Sequence, residues 1–170
     1  ARVVREALGA RTVSQASRVL VSTRVKATPE RAFAAFTEEI AQWWQPNGLF
    51  ELRRSRSGVL SFEPGPRGRL IETYADGSVF VIGDVRVWDP PRRLVVGWRQ
   101  ESFAPDQSTE LHVRFELVDQ ETRVTVEHFG WDTIPEKHAA RHGFPLAVFQ
   151  RRFAEWWQGM LRGLHERARS

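Results

Sequence analysis

Between residues 18 and 27 apolar and polar side chains alternate, with Val19, Val21, Thr23 and Val25 on one side and Leu20, Ser22, Arg24 and Lys26 on the other. A two-residue period predicts a strand with one wet face. Thr28-Pro29-Glu30-Arg31 follows as an N-cap, a proline suited to the first helical position and an acid in the first turn, so a short helix is expected to about Phe36. Ala32, Phe33 and Phe36 form its buried stripe. A second short helix over 38–44 stops ahead of Pro46, because proline pushes the residue before it out of the α region.

The middle of the chain reads as strands at 49–55, 59–63, 69–74, 78–88, 93–101, 109–118 and 123–129. Between them lie Ser57-Gly58, Gly65-Pro66, Asp76-Gly77, Asp89-Pro90-Pro91, Ala104-Pro105-Asp106 and Asp119-Gln120-Glu121, each short enough to join antiparallel neighbours. Two successive prolines lack ladder N–H groups, so Pro90 and Pro91 belong to a connection rather than a strand interior. After Gly143 and Pro145 the period changes: Phe149, Phe153, Trp156, Met160 and Leu164, widened by Trp157 and Leu161, predict one amphipathic helix of some twenty residues. Residues 1–17 are polar and weakly periodic, an arm preceding one domain over 18–170.

Composition narrows the chemistry. Cysteine is absent, which excludes a disulfide framework, a thiolate zinc site and a cysteine nucleophile. No run of about 18 apolar residues occurs, and residues 1–17 carry Arg2, Arg5, Glu6 and Arg11 where a signal peptide needs an apolar stretch. No membrane attachment is expected, and the cytoplasm is the expected compartment. The net charge of +4 comes from arginines interleaved with acids along the chain. Helix-turn-helix, zinc-finger and RNP signatures are missing, so nucleic acid is not an expected partner.

The element order, strand, two short helices, six or seven antiparallel strands and a long final helix, resembles the helix-grip fold of the START-like (Bet v 1-like, SRPBCC) superfamily. Within it, three motifs resemble the family named for the activator of Hsp90 ATPase: Thr28-Pro29-Glu30-Arg31-Ala32-Phe33, Trp43-Trp44 with Pro46, and Asp89-Pro90-Pro91-Arg92-Arg93-Leu94 leading to Trp98. The resemblance covers residues 18 to about 166. One departure is that Ser57-Gly58 supplies a single glycine where the family often has two. Eukaryotic co-chaperones of this name carry an additional N-terminal domain, which residues 1–17 are too short to form.

The resemblance implies an α+β fold in which a curved antiparallel sheet of about seven strands wraps a long C-terminal helix over a cavity. Inward residues would line that cavity: Trp43, Phe50, Phe62, Tyr74, Trp98, Phe149, Phe153 and Trp157, entered by the loops near 43–50. Ordinary core packing is the competing reading for each aromatic. His128 shares a strand face with Val124 and Val126 and could orient a ligand, while Glu127 points the other way. Glu72 and Tyr74 share a face, and either could hydrogen-bond a bound molecule. His138 and His142 have the spacing of a helical metal pair, but Ala139 stands where a zincin has glutamate and no third ligand is evident. No metal or other cofactor is expected.

Three functions stay open. The first is non-enzymatic binding of a small hydrophobic or aromatic molecule. The second is a chaperone-associated or stress-linked interaction module, with a homodimer as one possible assembly. The third is an enzyme of cyclase or hydrolase type, because the superfamily contains aromatase/cyclases. Arg69, Glu72, Tyr74, Asp84, Arg86 and His128 are available polar groups, but they form no motif that selects a reaction, and the reading favours binding.

Overall fold

The structure is a computed structural model and describes residues 17–45, 50–53 and 56–169. Strand β1 (Arg18–Val25) is followed by helix α1 (Pro29–Thr37) and a single turn of helix, α2 (Ile40–Trp43). The strands β2 (Val59–Phe62), β3 (Arg69–Thr73), β4 (Val79–Asp89), β5 (Arg93–Trp98), β6 (Thr109–Val118) and β7 (Glu121–Phe129) then run in sequence, and α3 (Leu146–Ala168) closes the chain. All pairings are antiparallel, in the order β1-β7-β6-β5-β4-β3-β2. Six strands meander and the first lies against the last, giving the curled half-barrel of a helix-grip fold around α3.

Local chemistry explains the joints. The Thr28 hydroxyl accepts from the Arg31 N–H at 3.2 Å, capping α1 as its sequence requires. β6 and β7 are joined by Asp119 and Gln120, with φ of 50° and 67° and Val118 opposite Glu121. Two positive φ values in a two-residue loop match the twist of the flanking strands. Pro90 and Pro91 occupy the β4–β5 connection, where the Arg92 N–H donates to the Asp89 carbonyl at 2.7 Å.

Inward rows run across the sheet. Val21, Val126, Val113 and Leu94 form one, and Val19, His128, Leu111 and Val96 the next. β1 and the first part of β6 alternate between inner and outer positions as the two-residue period demands, whereas β5 and β7 are buried along most of their length. Against these rows pack α3, through Phe149, Phe153, Trp157 and Leu161, and α1, through Phe33 and Phe36 on Phe115. Glu39 ties the two layers: Arg31 and Arg167 both pair with its carboxylate, and Arg31 also donates to the Arg167 carbonyl at 3.0 Å. Arg31 of the Thr-Pro-Glu-Arg motif thus anchors the C-terminal end of α3.

The structure departs from the sequence reading at two places. The strand expected over 49–55 is not formed by the described part of that segment, where Arg53 makes only an isolated bridge to Arg56. With Phe50 and Leu52 buried in the core, 50–53 is tied down instead by the Glu101 N–H donating to the Leu52 carbonyl and by an Arg53–Glu101 ion pair, both at 2.9 Å. The second helix is one turn rather than 38–44, since Glu38 still belongs to the C-cap of α1, its N–H donating to the Ala34 carbonyl. Elsewhere, His138 and His142 flank a 3-10 turn, Ala139–Arg141, in which His138 caps the Ala140 N–H and His142 has φ 53°, so the four-residue spacing noted in the sequence does not fall on an α-helical face. The expected arm over 1–17 lies, apart from Ser17, outside the described residues.

Candidate functional site

Two features converge where β3, β5 and β7 face α3. The first is an aromatic interior. Trp98, at the end of β5, is 1% exposed and contacts His128, Trp157 and Trp44 at ring distances of 5.4, 6.4 and 5.7 Å. His128 is flanked in turn by Trp131 at 5.1 Å and Phe153 at 5.2 Å. Phe149 stacks on Phe153 one helical turn away, with ring planes 16° apart, because i and i+4 share a helix face. These rings occupy the space between sheet and helix for which the resemblance implied a cavity.

The polar atoms of this interior have a definite state. The Thr109 hydroxyl donates to the Trp98 carbonyl at 3.1 Å, so its oxygen accepts from His128 Nε2–H at 2.7 Å. His128 Nδ1 is left as a bare acceptor, buried and without a partner. Burial, with a smaller contribution from His112, pushes its pKa down to about 3, so the ring is neutral at physiological pH. The indole N–H groups of Trp98, Trp131 and Trp157 are also buried without a hydrogen bond.

The second feature is a pocket of about 90 Å³ at the rim of this interior, walled by Ala41, Trp44, Phe50 and Leu60, with Glu72 and Arg56 among its polar groups. Trp44 and Phe50 are the shared wall: Trp44 touches Trp98, Trp156 and Trp157, and Phe50 touches Phe149, Phe153 and Trp156. Glu72 lies on the inner face of β3, opposite Leu60 on β2 and Phe80 on β4. Its side chain is 5% exposed, and one carboxyl oxygen is buried with no hydrogen-bond partner. Burial holds its pKa above the ordinary carboxylate value.

Beside it the Tyr74 hydroxyl is buried and also without a hydrogen bond; burial and the adjacent Glu72 raise its pKa to about 12. Arg56 and Arg53 lie over the Tyr74 ring at 4.4 and 5.1 Å, a cation–π arrangement. Gly58 makes the packing feasible: a Cβ there would sit 2.6 Å from the Thr73 carbonyl and 2.7 Å from Glu72 Cγ. The single glycine of the Ser57-Gly58 turn therefore has a steric reason to be glycine.

Of the residues expected at a site, Trp98, His128, Phe149, Phe153 and Trp157 share the interior, and Phe50 stands between interior and pocket. Trp43 turns elsewhere, its indole donating to the Ala35 carbonyl at 2.9 Å and its ring packing on Phe36. Phe62 is half-buried on β2 opposite Leu70. Glu127 sits on the outer face, paired with Arg18 at 3.2 Å and Arg114 at 3.1 Å. The sequence reading missed Trp44, Trp131 and Trp156. Trp156 was legible as part of the helical stripe, whereas Trp131 follows a glycine in an irregular connection and gave no periodic signal.

Comparison with known proteins extends the picture. Residues 26–168 match the family described as activator of Hsp90 ATPase homolog 1-like protein. Among curated proteins none matches. Similar solved structures include a Mesorhizobium loti protein, with TM-score 0.61 and 16% identity over 88% of this chain and 94% of that one. An HSP90 activator from Plasmodium falciparum has TM-score 0.57 and 19% identity over 87% and 93%. The self-sacrificing resistance protein CalC from Micromonospora echinospora has TM-score 0.57 and 28% identity over 89% and 93%. Among the described residues the family match takes in every helix and the strands β2 to β7. The chain belongs to the activator of Hsp90 ATPase homolog 1-like family.

Proposed function

We propose that this protein binds a small apolar or aromatic molecule at the Trp44–Phe50 wall, in the pocket beneath β2 and β3 and against the aromatic interior. The observation that carries this reading is the pocket itself: aromatic and aliphatic walls around a nearly buried carboxyl, the lining that small-molecule sites have. Its volume of about 90 Å³ is below the roughly 150 Å³ of an apolar cavity that takes benzene, so the bound group is a short chain, or a single ring with Trp44 or Phe50 turned aside. Burial of apolar surface, at about 25 cal/mol per Å², supplies the affinity. The description of CalC as a resistance protein supports a small molecule as the thing encountered.

Native mass spectrometry of the gently purified chain, set against a denatured sample, tests the reading together with tryptophan fluorescence during titration with single-ring aromatic compounds. A discrete extra mass, or a saturable change in emission that Trp44→Leu abolishes, is the expected outcome. An apo mass together with flat titrations across the compounds would sink the reading.

The family match favours a second reading, an Hsp90-directed interaction of the kind named for the Plasmodium relative. At 19% identity that likeness is one of fold, so the partner itself has to be found. Pull-down with purified Hsp90 and its ATPase rate in the presence of this chain decide it.

A further inference from the structure

We infer that the pocket at Glu72 selects aromatic molecules that carry a hydrogen-bond donor, a phenolic O–H or an aryl N–H, an inference that rests on the binding reading above. Glu72 differs from most acids of this chain in having no arginine ion-paired with it among the described residues: its neighbouring donor is the Tyr74 hydroxyl, and one of its carboxyl oxygens is buried without a hydrogen bond. Glu39, Glu63, Glu101, Glu110, Glu116, Glu121 and Glu127 are each paired with an arginine. The cations nearest Glu72 are engaged elsewhere, Arg53 with Glu101 at 2.9 Å and Arg56 with Asp76 at 3.0 Å. The Tyr74 hydroxyl is its neighbour and shifts its pKa, yet neither that hydroxyl nor the inner carboxyl oxygen reaches a partner with hydrogen-bond geometry.

The cross-strand neighbours of Glu72 are Leu60 and Phe80 and the aromatic walls are Trp44 and Phe50, so the carboxyl faces carbon on most sides, with the Tyr74 hydroxyl beside it and Glu51, Arg56 and Ser57 among the polar residues of the same pocket. A molecule seated there closes the carboxyl off from water. If it brings a donor, the carboxyl regains a charge-assisted hydrogen bond. If it brings only carbon, the acceptor is left desolvated and unpaired, which penalises the complex. An aromatic carboxylate would set a second anion beside the first and is disfavoured by charge. A site built to bond a ligand O–H rejects the analogue lacking it more strongly than an apolar pocket rejects a missing methylene.

The probes are phenol, anisole and toluene, which share a ring and differ in the donor. Calorimetric or ligand-observed NMR titration of the full chain is expected to give phenol an affinity about tenfold or more above anisole. Glu72→Leu is expected to erase that preference and to raise toluene toward phenol, while Glu72→Gln, which keeps a carbonyl acceptor, retains part of it. Circular dichroism establishes that each variant is folded, and the wild-type comparison stands without them. Equal affinity for phenol and anisole would overturn donor selection and leave the binding reading in place. Failure of all three to bind would remove the binding reading, and the inference with it.

Discussion

Glu72 and His128 are polar groups on an otherwise apolar face, and each carries a stability signature with a definite sign. For Glu72 burial raises the folded-state pKa, so the fold prefers the protonated form. Its favourable contribution is complete below the unfolded value near 4.5 and is lost as pH rises through the folded pKa. Glu72→Gln, which cannot ionise, is therefore expected to stabilise the fold at pH 7.5, by a gain on the order of 1 kcal/mol that disappears toward pH 4. Urea unfolding at the two pH values checks it. A group that costs stability and faces a pocket is what a binding role predicts, since function is where local rules are broken.

His128 has the opposite protonation preference. Its pKa falls from 6.5 to about 3, so its contribution is complete above pH 6.5 and drains away as pH falls toward 3, because the unfolded chain takes up a proton that the native interior refuses. At pH 5 about 2 kcal/mol of stability is lost relative to pH 7.5. In His128→Gln that loss is expected to shrink, with the rest of the acid titration unchanged, when both proteins are unfolded in urea at pH 7.5, 6 and 5. The alternation of β7 marked His128 as inward. Its tautomer required Thr109, nineteen residues earlier, and the carbonyl of Trp98, which only the assembled sheet brings within reach.

At the scale of elements, two close approaches set geometry. Gly83 on β4 lies so near Gly97 on β5 that a Cβ at Gly83 would fall 1.7 Å from the Gly97 carbonyl oxygen, at a place where the β3–β4 register shifts. Neither a side chain nor a backbone can yield that much without opening the ladder. Gly83→Ala is expected to cost about 3 kcal/mol or more, read as a lowered urea midpoint. An isolated glycine within a strand pattern is a recognised sign of a bulge or a close approach, so the signal was present although the partner strand was not.

The Arg31–Glu39–Arg167 cluster is the second joint. Arg31→Ala removes the donor to both Glu39 and the Arg167 carbonyl, and a loss of about 1–2 kcal/mol is expected. In a double-mutant cycle with Glu39→Gln the two effects should fall short of additivity, since both variants break one contact. Arg31 holds the carboxyl of Glu39 below its usual pKa, so this contribution is present above the unfolded value and weakens as pH falls through the folded one. The Thr-Pro-Glu-Arg signature announced the helix start, and its arginine turned out to serve the far end of the chain, 136 residues away.

For the molecule as a whole, the interior ring cluster is the common ground of sheet and helix. Phe153 touches Phe50, His128, Trp131 and Phe149, so it joins α3 to the sheet, to the connection after it and to the pocket wall. Phe153→Ala is expected to cost about 3–5 kcal/mol and to lower the midpoint of one cooperative transition rather than split it. Far- and near-ultraviolet circular dichroism should follow one curve. No helix among the described residues is long and apolar enough to cross a membrane.

Periodicity determined the strands after residue 58, the capped first helix and the amphipathic last one, because a period of two or of 3.6 is a property of neighbouring residues and needs no partner. It also determined that Glu72, Tyr74 and His128 face inward. Tertiary structure decided that Trp44 rather than Trp43 meets the interior, that Trp131 joins it from an irregular connection, and that the space under α3 is filled with rings while the opening lies at its rim. Those outcomes depend on helix tilt, on register between distant strands and on which side chain reaches a space first, and such quantities are set by long-range packing that no local pattern encodes.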